Sequence, residues 1–309
     1  MIYSVSMRTD IPAFYSEWFM NRIRAKEVAV RNPYYPETVS IYDLSSEQVD
    51  CFWFLSKNYT PMLNNNYVKP IIDKYPTMWD FTITPYGQDI EQNVINYVSA
   101  VECFKKLSDI VGSNRISLRY DPIIFTDKYN MNFHKIALNY IIKELYTYTH
   151  VVYFSFVTPY KKVITNLDFN LDCQDIVKKE EILKYMVDIC ECYDMIIRCC
   201  PSKLDNMSFT GKDKIDIRGC MLADHINKAN NTNIKQPLSK NNKFDCTCIP
   251  SKDIGCYNSC YHNCTYCYAN AYPGVAKTLS YNPNSIILCD TIKTTDKITH
   301  SLQKSYRKE

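Results

Sequence analysis

Six cysteines fall within 22 residues near the end of the chain, in Cys246-Thr-Cys248-Ile-Pro-Ser-Lys-Asp-Ile-Gly-Cys256-Tyr-Asn-Ser-Cys260-Tyr-His-Asn-Cys264-Thr-Tyr-Cys267. Core cysteines come singly at strand or helix periodicity, whereas polar turn residues surround these. Close thiolates repel unless a soft cation neutralises them, so the segment reads as a metal site. Cys260, Cys264 and Cys267 form C-x3-C-x2-C, three thiolates able to hold three irons of a cubane and leave the fourth open. Zinc sites read instead as paired C-x2-C knuckles. Cys264 with Cys267 is one such knuckle, and Cys246-Thr-Cys248 could complete it, but zinc leaves Cys260 and Tyr266 without a role. The spacing therefore favours iron–sulfur over zinc, with His262 a bystander in the loop.

A second set is Cys200, Cys220, Cys246 and Cys248. Four thiolates would close a cubane or a zinc site fully, making it structural or electron-transferring. The competing reading makes Cys200 and Cys220 ordinary buried thiols. Cys256 reads as incidental, and Cys51, Cys103, Cys173, Cys190, Cys192 and Cys289 as core or surface residues. The total of 15 cysteines is odd, and the expected compartment is the reducing cytosol, so a disulfide framework explains them poorly. That compartment is expected because no run of about 18 apolar residues occurs and the first residues lack a signal peptide's basic and apolar regions.

The elements that must position these thiols are strands alternating with helices. Strands are expected at Ile2–Ser6, Cys51–Leu55, Asp80–Thr84, Arg115–Tyr120, Val151–Val157 and Asp194–Cys199, with a further candidate at Val39–Leu44. Helices are expected at Pro12–Lys26, with Asp10 as its N-cap, and at Asn65–Lys74, Asp89–Val111, Phe133–Tyr148 and Cys173–Cys192. Repeated strand-helix-strand units predict an α/β fold, a TIM-like, partial β/α barrel of about six parallel strands, followed by a cysteine-rich metal-binding segment. The expected divisions are 1–200 for the barrel, 201–245 for a helix (near Cys220–Ala229) and connector, 246–290 for a cysteine-rich segment over the barrel mouth, and 291–309 for a frayed basic tail. Reactive groups in such barrels sit where strands end. Arg8, Asp10, Lys57, Arg119 and Asp121 collect there, either as a polar pocket or, taken singly, as the ion pairs and caps of any barrel rim.

Composition narrows the function classes. Of 309 residues 46% are hydrophobic and 14% aromatic, as in a folded globular chain. Lys plus Arg number 36 against 33 Asp plus Glu, a balance of +3 that supports neither nucleic acid nor an anionic membrane as partner. No phosphate-binding loop, dinucleotide fingerprint, zinc-protease motif or serine-hydrolase elbow occurs. His134 and His225 lie on helical patterns and read as structural.

With Tyr266 before its last cysteine, C-x3-C-x2-C is similar to the cluster signature of radical S-adenosylmethionine enzymes. Cys264-Thr-Tyr-Cys267-Tyr268-Ala-Asn270 resembles their spore photoproduct lyase-like branch. From Ser6-Met-Arg8-Thr-Asp10-Ile-Pro12-Ala-Phe14-Tyr through Asn32-Pro33 and Arg119-Tyr-Asp121-Pro122-Ile to Asp253-Ile-Gly255, nearly the whole chain resembles a bacterial domain-of-unknown-function family with a C-terminal cysteine cluster. That family also places cysteines at the points of the second set. The resemblance implies one [4Fe–4S] cluster, with a second at the other cysteines as the alternative to zinc, and S-adenosylmethionine beside Tyr266. It also implies a reductant such as flavodoxin or ferredoxin and a small or macromolecular substrate meeting a 5′-deoxyadenosyl radical. Two features depart from the radical-enzyme pattern: the motif follows the last barrel strand rather than the first, and the six glycines include no Gly-Gly pair. First and last strands of a closed barrel are neighbours, so the loop could still cover the mouth. The reading from another class is a non-catalytic metalloprotein, zinc or structural iron–sulfur, with a binding or sensing role.

Overall fold

The computed structural model describes residues 1–166, 175–200, 204, 206–237 and 248–307. In chain order the elements are β1 (Ile2–Val5), α1 (Ile11–Phe14), α2 (Ser16–Ala25), β2 (Glu27–Arg31), β3 (Thr38–Asp43), β4 (Cys51–Ser56), α3 (Thr60–Asn64), α4 (Val68–Ile72), β5 (Thr77–Thr82), α5 (Tyr97–Val111), β6 (Ile116–Ile123), α6 (Met131–Leu145), β7 (Val151–Phe156), α7 (Lys161–Asn166), α8 (Ile176–Cys192), β8 (Ile196–Arg198), α9 (Ala223–Asn230), β9 (Ser251–Asp253) and β10 (Lys297–His300). The main sheet has seven strands in the order β8-β7-β6-β5-β4-β1-β9, each pair parallel. All six expected strands of the α/β sheet are there. β9, three residues long, adds the seventh beside β1. No ladder joins β8 to β9 among the described residues, so these two strands stand at the ends of the sheet order.

Strand alternation gives the sheet two unlike faces. Tyr3, Val5, Phe52, Phe54, Trp79, Phe81, Leu118 and Tyr120 point to the helices and join Phe19, Phe104, Leu138, Ile142, Leu183 and Met186 in the main core. Residues of the other parity, Ile2, Cys51, Trp53 and Met78, pack under Met221, Ala223, Ile226 and Ile249 around α9. Along the same parity, nearer the carboxyl ends, come Asp80, Thr82, Arg119, Asp121 and Ser155. The second face is thus apolar where α9 fills it and polar where the strands end, which is where a parallel sheet places its chemistry.

Several expected boundaries move. The first helix breaks at Tyr15, whose hydroxyl donates to the Ser259 carbonyl over 2.5 Å. The helix expected at Asn65–Lys74 shortens to α4, with α3 an unexpected turn of helix before it, and that expected from Asp89 begins only at Tyr97, where Asn96 accepts from the Ser99 N–H. The Val39–Leu44 candidate becomes β3 of a separate three-stranded sheet, ordered β10-β3-β2. β10 pairs with β3, Ser305 and the Tyr306 N–H donate to Asp50, and Arg307 stands 3.4 Å from it. Asp50 is fully buried, and a buried carboxylate requires such donors. No helix among the described residues is long and apolar enough to cross a membrane.

Candidate functional site

A cavity of about 440 Å³ opens at the carboxyl edge of the sheet. Its walls bring together Asp10, Lys57, Arg119 and Asp121 from the strand ends with Cys260, Cys264, Cys267 and Tyr266 from the cysteine loop. Cys220 reaches it as well. These residues span more than 250 positions of sequence, and the fold gathers them because most lie in the carboxyl half of a parallel strand, just beyond one, or on the loop laid across those ends.

Arg8 is the exception among the five rim residues. Its Nε lies 3.8 Å from Asp253, its guanidinium sits over the Tyr257 ring, and it lines a separate cavity of about 260 Å³ with Arg31, Cys256 and Asp290. The chain turns away at Ser6, whose hydroxyl donates to Asp253 over 2.7 Å while the Met7 N–H donates to the other carboxylate oxygen. Gly255 is required at this crossing: a Cβ there would lie 2.0 Å from the Ser6 hydroxyl oxygen.

The cysteine loop is held by backbone and buried polar bonds. Thr265 N–H donates to Ile90 C=O, Asn93 N–H to His262 C=O, and Asn270 to Cys260 C=O over 2.7 Å. Asn258 and Asn263 take left-handed turns, which their short polar side chains tolerate. His262, expected to be a bystander, is 2% exposed and donates from Nε2 to Asp10 over 2.8 Å. The same carboxylate caps α1 through the Ala13 N–H and accepts from Ser56 Oγ and the Lys57 N–H. Asp10 is therefore both the expected cap and the point where loop, helix and β4 meet.

Lys57 donates to Glu91 over 2.9 Å and to Thr84 over 2.7 Å; Thr84 and Tyr266 also donate to Glu91. Burial alone would lower the Lys57 pKa, but the Glu91 carboxylate and Cys264 beside it raise it overall. The Cys264 thiol is pushed well above its ordinary range by burial and Glu91, against Lys57, with Cys260 and Cys267 adding to the rise. Arg119 bridges Asp80 and Asp121 over 3.0 and 2.8 Å. Asp121 stays below the ordinary carboxylate range despite burial because Arg119, Ser155 and Lys57 favour its charge, whereas burial outweighs Arg119 at Asp80 and lifts it to about 6.

Glu91, Asp80 and Ser155 are polar residues that sequence reasoning missed. Glu91 was hidden inside an expected helix. Asp80 and Ser155 could have been found from strand parity, since Asp80 shares a face with Met78 and Thr82, and Arg119 pairs in register with Tyr153 on the strand carrying Ser155.

The second cysteine set is partly assembled. Cys220 Sγ lies 3.7 Å from Cys248 Sγ and within hydrogen-bond reach of Cys200. Cys246 and Cys173 lie outside the described residues. Among the described residues no three His, Cys, Asp or Glu side chains converge as they would on one metal ion. Cys256 donates to the Tyr257 carbonyl, away from both sets. Cys51, Cys103, Cys190 and Cys289 are buried and Cys192 exposed. His134 is satisfied in the core between Tyr120 and Ile124 C=O, and His225 faces Arg198. A family model described as a domain of unknown function, DUF1848, matches residues 2–269. No curated protein and no solved structure matches the chain.

Proposed function

The chain belongs to the DUF1848 family, and from that premise we propose that it is an iron–sulfur protein of the radical S-adenosylmethionine type. The observation that carries this reading is the shared cavity: C-x3-C-x2-C thiols and the charged strand ends of a parallel sheet face one space of about 440 Å³. Cys260, Cys264 and Cys267 would hold a [4Fe–4S] cluster. Thiolates that each take a different iron need not converge on one point, so the donor set fits a cluster better than a single ion. Such a cluster, once bound, supplies one-electron reductive cleavage of S-adenosylmethionine to methionine and a 5′-deoxyadenosyl radical, the electron coming from flavodoxin or ferredoxin.

The chain's own residues then have separable tasks. His262, Asp10 and the backbone bonds to residues 90–93 hold the loop. Tyr266, fixed by Glu91 and beside the Lys57 ammonium, offers an aromatic face for an adenine. Lys57 and Arg119 present cations for a carboxylate, and the covering loop excludes water from a reactive intermediate. Closure of the sheet into a barrel under this loop belongs to the same proposal.

The test is anaerobic purification followed by iron, sulfide and zinc analysis and electron paramagnetic resonance of the reduced protein. About four irons or more per chain, with a spectrum that changes when S-adenosylmethionine is added, supports the reading. Stoichiometric zinc with little iron after anaerobic growth overturns it in favour of a zinc-stapled scaffold.

A further inference from the structure

Cys200 lies two residues beyond β8 and Cys248 three residues before β9, the two edges of the main sheet. Cys220 stands between them. The segment carrying it starts against β8, where the Asp216 N–H donates to Ile197 C=O and the Cys199 N–H to Asp216 C=O. It ends at the approach to β9, where the Ile249 N–H donates to Met221 C=O over 2.7 Å. Residues 216–221 therefore cross from one edge to the other.

We propose that Cys200, Cys220 and Cys248 bind one divalent, thiophilic ion of the zinc class, and that this ion clasps the two sheet edges together. Three observations carry it. First, tetrahedral thiolates about 2.3 Å from a zinc ion stand about 3.8 Å apart, and Cys220 and Cys248 Sγ are 3.7 Å apart. Cysteines on different irons of a cubane stand further apart than this, so the pair fits a single ion. Second, the Cys220 and Met221 N–H groups both aim at Cys248 Sγ, at 3.3 and 3.5 Å. A neutral thiol is a weak acceptor, and two backbone donors on one sulfur suit a thiolate ligand. Third, the Cys199 N–H bond to Asp216 C=O holds the chain at Cys200 against the segment that carries Cys220; the three sulfurs do not converge on one point in this structure, so Cys200 has to turn onto the ion when it binds. The site does not depend on the Cys260, Cys264 and Cys267 thiols, so it stands or falls apart from the cluster.

The experiment uses the full chain purified without oxygen, stripped with a chelator and titrated with Co2+. Cys264→Ala, which lacks one thiol of the cluster set, should take one equivalent with thiolate-to-cobalt charge-transfer absorption and tetrahedral d–d bands, and wild type at least that. Cys220→Ser and Cys248→Ser should weaken that binding by about a hundredfold or more. Unchanged cobalt spectra and stoichiometry in the Cys220→Ser/Cys248→Ser double variant would overturn the site, as would absence of the tetrahedral thiolate bands in wild type. Should the variants not fold, native wild type is alkylated with and without chelator and its peptides weighed. Cys220 and Cys248 should label only after chelation, and equal labelling in both arms would overturn the site.

Discussion

His262 Nε2 donates to Asp10 Oδ2 over 2.8 Å, joining residues 252 positions apart at a spot where both are almost fully buried. The bond ties the cysteine loop to the first strand-helix unit through a carboxylate that also caps α1 and holds the start of the loop after β4. Asp10→Ala strips four donors of their acceptor at once. It should cost about 3 kcal/mol or more in denaturant unfolding and lower iron retention after gel filtration. His262→Ala removes a single donor and should cost less. Equal effects would mean that Asp10 acts only through His262.

Lys57 and Glu91 form an ion pair with 13% and 1% side-chain exposure. Lys57→Met leaves the Glu91 charge buried and should destabilise by about 3–5 kcal/mol. Because the penalty comes from the unpaired charge, Lys57→Met/Glu91→Gln should recover much of it. A double-mutant cycle in urea measures this, and additive losses would show that the two side chains are not coupled.

Cys264→Ala should abolish most of the iron bound through the cysteine loop, whereas Cys256→Ala should leave iron and sulfide unchanged, since Cys256 lines the other cavity. Iron and sulfide assays on anaerobic protein check both. Full iron content in Cys264→Ala would exclude the three-cysteine assignment.

His134 is buried between Tyr120 and Ile124 C=O, and burial lowers its pKa from 6.5 to about 4. The unfolded chain therefore takes up this proton first. The contribution of neutral His134 is fully present above about pH 6.5, is lost progressively as pH falls towards 4, and levels off below, totalling about 3 kcal/mol. Unfolding free energies of wild type and His134→Gln at pH 7 and pH 5 should show a smaller pH dependence in the variant. Identical dependence would mean that His134 titrates normally in the folded state.

Six of the seven strands of the main sheet were legible in the amino-acid sequence because a buried parallel strand is a short apolar or β-branched run, a pattern local to its own residues. The motif thiols stand out for a like reason: their clustering shows in spacing alone. Short elements without an apolar run, such as β9, or held by distant partners, such as β10 on β3, leave no such mark. Nor did the loop at residues 87–96 that carries Glu91, because helical spacing continues into it and only Asn96 marks the true start of α5.

What the sequence determined by itself was the alternation of strands and helices, the sheet's parallel sense and the presence of clustered thiols. Only the tertiary structure decided that Lys57, Arg119 and Asp121 share a cavity with Cys260, Cys264 and Cys267 while Arg8 does not, and that His262 is buried on Asp10. The physical reason is range. Propensity and periodicity act between near neighbours, whereas a site is made by side chains that meet only after the sheet has ordered its strands and their ends face the same loop.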